Sequence, residues 1–259
     1  MVRKSSITKV AFTGNTELTY KCIEAVLSTG KFVSAVFGVP DEKAMNKTNH
    51  VYLDSICEKH DIKLFTSEDW EEYKSFCLEN NVDTIITMGD SRIIPPTITD
   101  SFHVIGNHGA ILPNVKGGAS LVWGRLLNAG FWGISIMEIG EGVDTGTILK
   151  TKEFTYDENM TEQEFVETCD DLTVEALVEV LNGHTEDLPN RHWDVRISKN
   201  TDSESATEIL RWCLQRDLSV YMPPRNEKDS ELKSTWSEYF KNVFKIAQYD
   251  PYPRWTEGK

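Results

Sequence analysis

Short apolar runs and segments of helical period take turns through the first 150 residues, and few folds accept that order. Thr8–Thr13 (TKVAFT) reads as a strand that ends in the turn Gly14-Asn15. Glu17–Leu27 repeats Leu18, Cys22, Ile23, Val26 and Leu27 at helical spacing. Lys31–Val39 is β-branched and aromatic, a strand closed by Pro40-Asp41. The same reading predicts helices over Asn49–His60 and Trp70–Glu79, and strands over Ile62–Phe65, Val82–Met88 and His103–Asn107. Such an order implies an α/β fold, a Rossmann-like parallel-type sheet with helices on both faces and right-handed crossovers. In open sheets of that kind ligands bind at the carboxyl ends of the strands. Gly14, Gly89 and His108 all fall at such ends.

Further along, Phe131–Met137 and Gly146–Phe154 read as two more strands around the loop EIGEGVDT, and Glu162–Leu181 as a long helix beginning near Thr161. After Asn182-Gly183 the character changes. Asn190–Asn200 is irregular and basic, Ala206–Arg216 is helical, 226–235 reads as a charged loop or hairpin, and Asn242–Tyr249 as a closing strand before DPYPRW. The expected organisation is a main unit over 1–184 with a small C-terminal extension over 185–259, a strand hairpin and helix serving dimerisation or substrate binding.

Charge and cysteine usage narrow the partners. With 27 Lys+Arg against 41 Asp+Glu the formal charge is −14. That field repels polyanions, whose binding rests on basic residues neutralising phosphates. A nucleic-acid partner is disfavoured, whereas a small phosphorylated molecule needs only two or three placed residues. Five widely spaced cysteines with no C-x-x-C pair argue against a disulfide framework or a zinc site, so no metal is expected. No apolar run approaches a membrane span, and the expected setting is cytoplasmic. His50 and His60 read as surface residues, His103 opens a strand with no obvious partner, and His184 reads as a solvated cap. His192, beside Trp193 and Asp194, reads as packing or as a stacking surface.

The phosphate-binding glycine motifs and G-x-S-x-G are all missing. What stands out is VIGNHGAILPNVKGG, Val104 to Gly118, where a histidine closes an apolar run before a proline and a basic-glycine turn. Asp144 then falls in a second turn, and whether the two side chains meet depends on geometry that spacing does not show.

Taken together, residues 104–149 resemble the core of the folate-dependent formyltransferases. The matching pieces are His108, Leu112-Pro113, Lys116-Gly117, the Gly133–Met137 strand and Asp144-Thr145-Gly146, in order and at matching spacing. TIITMGDSRIIPP resembles the family's folate-binding turn. The likeness covers residues 8–150 well and the C-terminal region faintly. Among members it is closest in character to the sugar-nucleotide N-formyltransferases, with lipopolysaccharide biosynthesis as the implied setting.

The resemblance implies transfer of a formyl group from N10-formyltetrahydrofolate, a cosubstrate, to the primary amine of a nucleotide-linked amino sugar. It implies catalytic roles for Asn107, His108 and Asp144. It places the pteridine against Met88, Arg92, Ile93 and Ile94 on one turn and Ile139, Gly140, Glu141 and Val143 on the other. The implied partners are a small nucleotide-sugar substrate and a second copy of the chain, with no nucleic acid and no membrane. One departure is plain: the family's asparagine stands two residues before the histidine, and that position here is Gly106. Asn107 is adjacent to His108, and successive strand residues face opposite ways unless a bulge re-aims one. Two other readings stay open, a protein that binds folate or a sugar nucleotide without turnover, and a formyltransferase for another small amine.

Overall fold

A computed structural model describes residues 7–40, 43, 49–191, 193–248 and 254–258. The predicted alternation is present as β1 (Lys9–Thr13), α1 (Glu17–Ser28), β2 (Phe32–Phe37), α2 (Asp54–Lys59), β3 (Lys63–Phe65), α3 (Trp70–Glu79), β4 (Thr84–Thr87), α4 (Pro96–Thr99) and β5 (His103–His108). A short β6 (Val115–Gly117) and α5 (Ser120–Leu127) follow, then β7 (Phe131–Glu138), β8 (Ile148–Thr155) and the long α6 (Glu162–Leu181). Seven strands form one sheet in the order β3-β2-β1-β4-β5-β7-β8. The strands from β3 to β5 run parallel, whereas β7 pairs antiparallel with both β5 and β8, so the sheet is mixed.

Alternation along the strands sorts two apolar faces. Val10, Phe12, Ile86, Ile105, Ile134 and Ile136 face one way and pack beneath α1 and α6, against Ile23, Val26, Phe165 and Leu177. Ala11, Ala35, Ile85 and Val104 face the other way and take Tyr73 and Cys77 of α3 with Ile98 of α4. All five cysteines are free and buried within these layers.

Two predicted elements differ. Over Asn49–His60 only Asp54–Lys59 is helical, because the preceding residues cross the start of α1: Asn49 O accepts from Glu17 N–H at 3.0 Å and Val51 N–H donates to Asn15 O at 3.0 Å. His50 is therefore half-buried, with Nδ1 2.8 Å from Asn15 Nδ2 and 3.0 Å from Asn15 O, not a solvated surface residue. The expected closing strand Asn242–Tyr249 is instead part of a helix, α8 (Glu238–Ala247). Phe240, Val243, Phe244 and Ala247 are buried at three- and four-residue spacing, and the Ser237 side chain caps the helix by accepting from Phe240 N–H. Tyr249, the segment 250–253 and His192 lie outside the described residues.

The C-terminal region also holds β9 (Val195–Arg196), α7 (Ser203–Leu214), β10 (Val220–Met222), β11 (Glu231–Leu232) and β12 (Thr256–Glu257). Strand β10 pairs in parallel with β6 on one side and β9 on the other. The charged stretch 226–235 makes a short 3-10 turn, Glu227–Ser230, that leads into β11. Leu210, Val220, Met222 and Phe244 join Trp123, Leu126 and Leu127 in one continuous core.

One buried ion pair ties α5 to the start of α6. Arg125 Nε lies 3.1 Å from Glu162 Oε2, with both side chains almost wholly buried, and Arg125 also donates to Met160 O at 2.8 Å. Burial pushes the Glu162 carboxyl up from 4.5 to about 8, against the pull of the Arg125 guanidinium. The folded state therefore holds this proton more tightly than the unfolded state. Its contribution is fully present below the unfolded value and is lost as pH rises through about 8. Glu162→Gln is expected to flatten the fall in thermal stability between pH 5 and pH 8, the window this shift spans. Arg125→Leu, which strands a buried carboxyl, is expected to cost about 3–5 kcal/mol above that window and less at acid pH, as read by urea unfolding.

Candidate active site

Strand β5 delivers His108 to the carboxyl edge of the sheet, opposite Ser135 of β7. The chain leaving it is tethered at once. Trp132 Nε1 donates to Gly109 O at 2.8 Å, Ser135 Oγ donates to Ala110 O at 2.9 Å, and Leu112 N–H donates to Ser135 Oγ at 2.9 Å. These bonds satisfy a buried turn and leave His108 little freedom, at 7% exposure.

Nε2 of His108 lies 3.0 Å from Val115 O. A carbonyl can only accept, so Nε2 carries the hydrogen and Nδ1 is the nitrogen that faces Asp144 Oδ1, 3.5 Å away. Asp144 sits in the left-handed region at φ 52°. Its Oδ2 accepts from Gly117 N–H at 2.8 Å, and its main-chain carbonyl accepts from Asn190 Nδ2 at 2.9 Å. Gly117 is itself at φ 100°, and a Cβ there would lie 2.1 Å from Met222 O. Only glycine lets β6 run that close to β10 and still aim its N–H at the carboxylate.

Lys116, the neighbour of Gly117, is fully buried and donates through Nζ to Arg191 O. Burial lowers its hold on a proton, and the nearby Asp144 carboxylate opposes that. Lys116 was named from sequence only as half of the Lys116-Gly117 turn, and Asn190 and Arg191 were not sequence candidates for the site. The signal that could have found them was the basic, irregular stretch Asn190–Asn200.

The histidine and aspartate expected from sequence are thus brought together, and the asparagine is not. Asn107 pairs with Ile136 and shares the face of Ile105, opposite to His108. No bulge re-aims it in the β5–β7 ladder, which runs in register through His108. Gly106 does lie on the His108 face, but a Cβ there would stand 2.5 Å from Ile139 Cδ1 and 3.0 Å from Thr87 Cγ2. The space beside the histidine is filled by isoleucine.

The expected cofactor residues divide into two groups. Met88 is fully buried, and its carbonyl accepts from Thr19 Oγ1 at 2.6 Å. Arg92 forks onto Asp90 with Nε 3.0 Å from Oδ1 and Nη2 2.7 Å from Oδ2, and donates to Gly38 O and Phe37 O at 2.8 Å each. Its guanidinium also lies over Phe37 and Trp70, so it pins the turn after β4 to the end of β2 and presents no free fork. Ile94 and Ile139 pack against the core. Ile93 at 86% exposure, Val143 at 51%, and Gly140 and Glu141 are open to solvent on the two turns. His103 pairs with Glu138 Oε1 at 3.1 Å. His184 is exposed after α6, where its N–H donates to Glu179 O at 2.9 Å. Among the described residues no cluster of three or more His, Cys, Asp or Glu could hold a metal ion, and no helix is long and apolar enough to cross a membrane.

Comparison with known proteins places this geometry. The methionyl-tRNA formyltransferase of Prochlorococcus marinus subsp. pastoris is 26% identical over 219 residues, covering 82% of this chain and 66% of the relative. The chain spans less than two thirds of the length of that relative. Among solved structures, the methionyl-tRNA formyltransferase from Clostridium thermocellum superposes with a TM-score of 0.64 at 14% identity, covering 97% of this chain and 88% of that one. The N-formyltransferase from Helicobacter canadensis, in complex with folinic acid and dTDP-3-aminofucose, gives 0.62 at 16% identity, covering 93% and 80%. Residues 8–181, which carry β1 through α6 and with them His108 and Asp144, match the family model described as Formyl transferase, and the chain belongs to that family.

Proposed function

We propose that the chain transfers the formyl group of N10-formyltetrahydrofolate to the primary amine of a nucleotide-linked amino sugar. The observation that carries this reading is the His108–Asp144 pair, locked at the carboxyl edge of the sheet by Val115 O and Gly117 N–H. In the transfer, a neutral amine attacks the formyl carbon and gives up a proton. The tetrahedral intermediate collapses by breaking the formyl C–N10 bond, with tetrahydrofolate leaving as N10 takes a proton. Nδ1 of His108 is the nitrogen placed to take the amine proton, and the Asp144 carboxylate stabilises the cation so formed. The exposed Ile93 and Val143 supply an apolar lining for a flat heterocycle, on turns that Arg92 and the β7 loop hold in place. The likeness to the Helicobacter canadensis enzyme supports an amino-sugar acceptor. The formal charge of −14 weighs against tRNA, the substrate in the names of the sequence relatives. A cytoplasmic homodimer belongs to the same proposal, with Trp212 and Tyr239 as exposed aromatic residues of α7 and α8 available for contact.

A second reading is binding of folate or a sugar nucleotide without turnover, and a specific observation favours it. Neither of the two residues before His108 offers it a carboxamide, since position 106 is glycine with Ile139 over it and Asn107 faces away. Loss of one oxyanion donor costs about 10²–10³ in rate.

Mass spectrometry of dTDP-, UDP- and GDP-linked amino sugars incubated with protein and N10-formyltetrahydrofolate separates the readings. The expected result is a formylated sugar, with His108→Ala slower by about 10²–10⁴-fold and still protected from heat by folate. Folate protection in the wild type with no formylated product would establish binding alone. Arg92→Lys cannot reproduce the fork on Asp90, Gly38 and Phe37. It is expected to raise the KM for the folate about tenfold with kcat little changed, in steady-state assays.

A further inference from the structure

The small sheet β6-β10-β9 has two unlike faces. Its register sets Val115 beside Val220 and Val220 beside Val195, and this row packs into the main core. The next row, Lys116 beside Tyr221 and Tyr221 beside Arg196, must point the opposite way. That outward row begins one residue from Gly117, whose N–H holds Asp144.

Arg196 is exposed, and its guanidinium stacks on two aromatic rings. It lies 4.0 Å from the centroid of the Trp193 ring and 4.2 Å from that of Tyr221, and the two rings are 4.6 Å apart. Arg92, Arg125, Arg191, Arg211, Arg216 and Arg225 each donate to a protein oxygen. Arg196 donates to none among the described residues, in a chain with 41 acidic side chains. A stacked guanidinium has already lost its rotamer freedom and keeps its planar fork of donors for an anion. Two buried N–H groups nearby in the chain, Arg191 Nε and Trp193 Nε1, also find no partner among the described residues.

We infer that Arg196 is the phosphate-binding arm of the acceptor subsite, taking the diphosphate of a nucleoside-diphosphate-linked acceptor whose amine reaches His108. The inference rests on the formyltransferase reading given above. Two strand spacings separate Arg196 from Lys116, about 10 Å, so an anion on Arg196 would lie across Tyr221 from the turn that holds Asp144. A diphosphate is favoured over an isolated carboxylate because its oxygens can engage the fork while the attached base meets Trp193 and Tyr221.

Calorimetric titration of the full chain with inorganic pyrophosphate, dTDP and UDP tests this, with 5-formyltetrahydrofolate binding as the control for an intact fold. Arg196→Met, which keeps an apolar stem over the rings, is expected to weaken all three diphosphates about 10- to 100-fold and leave folate binding unchanged. Arg196→Lys is expected to recover only part of the loss, because a point charge replaces the fork. Equal binding of the diphosphates by wild type and Arg196→Met, or no binding by the wild type, overturns the assignment. So does Arg196-dependent binding of tRNA without binding of free diphosphates. Arg196-dependent binding with no formylated sugar would leave the subsite standing and remove the transfer reading. A formylated sugar with the same acceptor KM in both proteins would do the reverse.

Discussion

The hydrogen bond from Gly117 N–H to Asp144 Oδ2, 2.8 Å long, is the joint on which the site depends. It links a three-residue strand, β6, to the loop that follows β7, and neither segment has enough apolar surface to fix itself. Through β6 the joint extends to β10, because Gly117 pairs with Met222 and has no side chain to keep the two backbones apart. Through the Asp144 carbonyl it extends to Asn190. An aspartate whose carboxylate is held by a main-chain donor and whose carbonyl is held by a carboxamide has few orientations left, and preorganisation of that kind is what a reacting site needs.

Charge is distributed differently over the surface and around the site. The surface is acidic, and ion pairs such as Lys43–Glu68 and Lys241–Glu238 are exposed enough to contribute only about 0–1 kcal/mol each. Around Asp144 charges of both signs are gathered: Lys116 is fully buried and donates to Arg191 O, Arg191 pairs with Asp217, and Arg196 lies two strands away on the small sheet. A buried ammonium is costly unless something nearby is negative. Asp144 supplies part of that compensation. An anionic acceptor would supply more, which joins the electrostatics of the lysine to the chemistry of the histidine.

How much of this could be read from sequence depends on how local the cause was. The strands β1, β2, β4 and β5 were legible because each is an apolar run bounded by turn residues. His108 was legible because it closes one of them ahead of Leu112-Pro113 and Lys116-Gly117. β6 and β10 were not, since VKG and VYM are three residues each and become strands only by pairing across about a hundred positions. α8 was misread because Phe240, Val243, Phe244 and Ile246 have strand-like composition, and composition outweighed their spacing. The facing of Asn107 followed from simple alternation. The role of Arg92 did not, because its partners on β2 lie more than fifty residues away.

Ile139 explains why the departure at Gly106 is more than the absence of a side chain. Its side chain packs in two apolar clusters, with Val104 and Ile85 on one side and with Leu112 and Met137 on the other. To serve both it must cross the place where a β-carbon at 106 would be, 2.5 Å from its own Cδ1. A carboxamide at 106 would therefore require the end of the Ile139 side chain to move aside. With glycine and isoleucine the wall beside His108 is apolar. A lower local dielectric strengthens the attraction between an imidazolium and the Asp144 carboxylate while removing a donor for the oxyanion. On the transfer reading proposed above, the chemistry would rest on proton transfer through the His108–Asp144 pair, with the oxyanion met by groups other than a side-chain amide at 106 or 107.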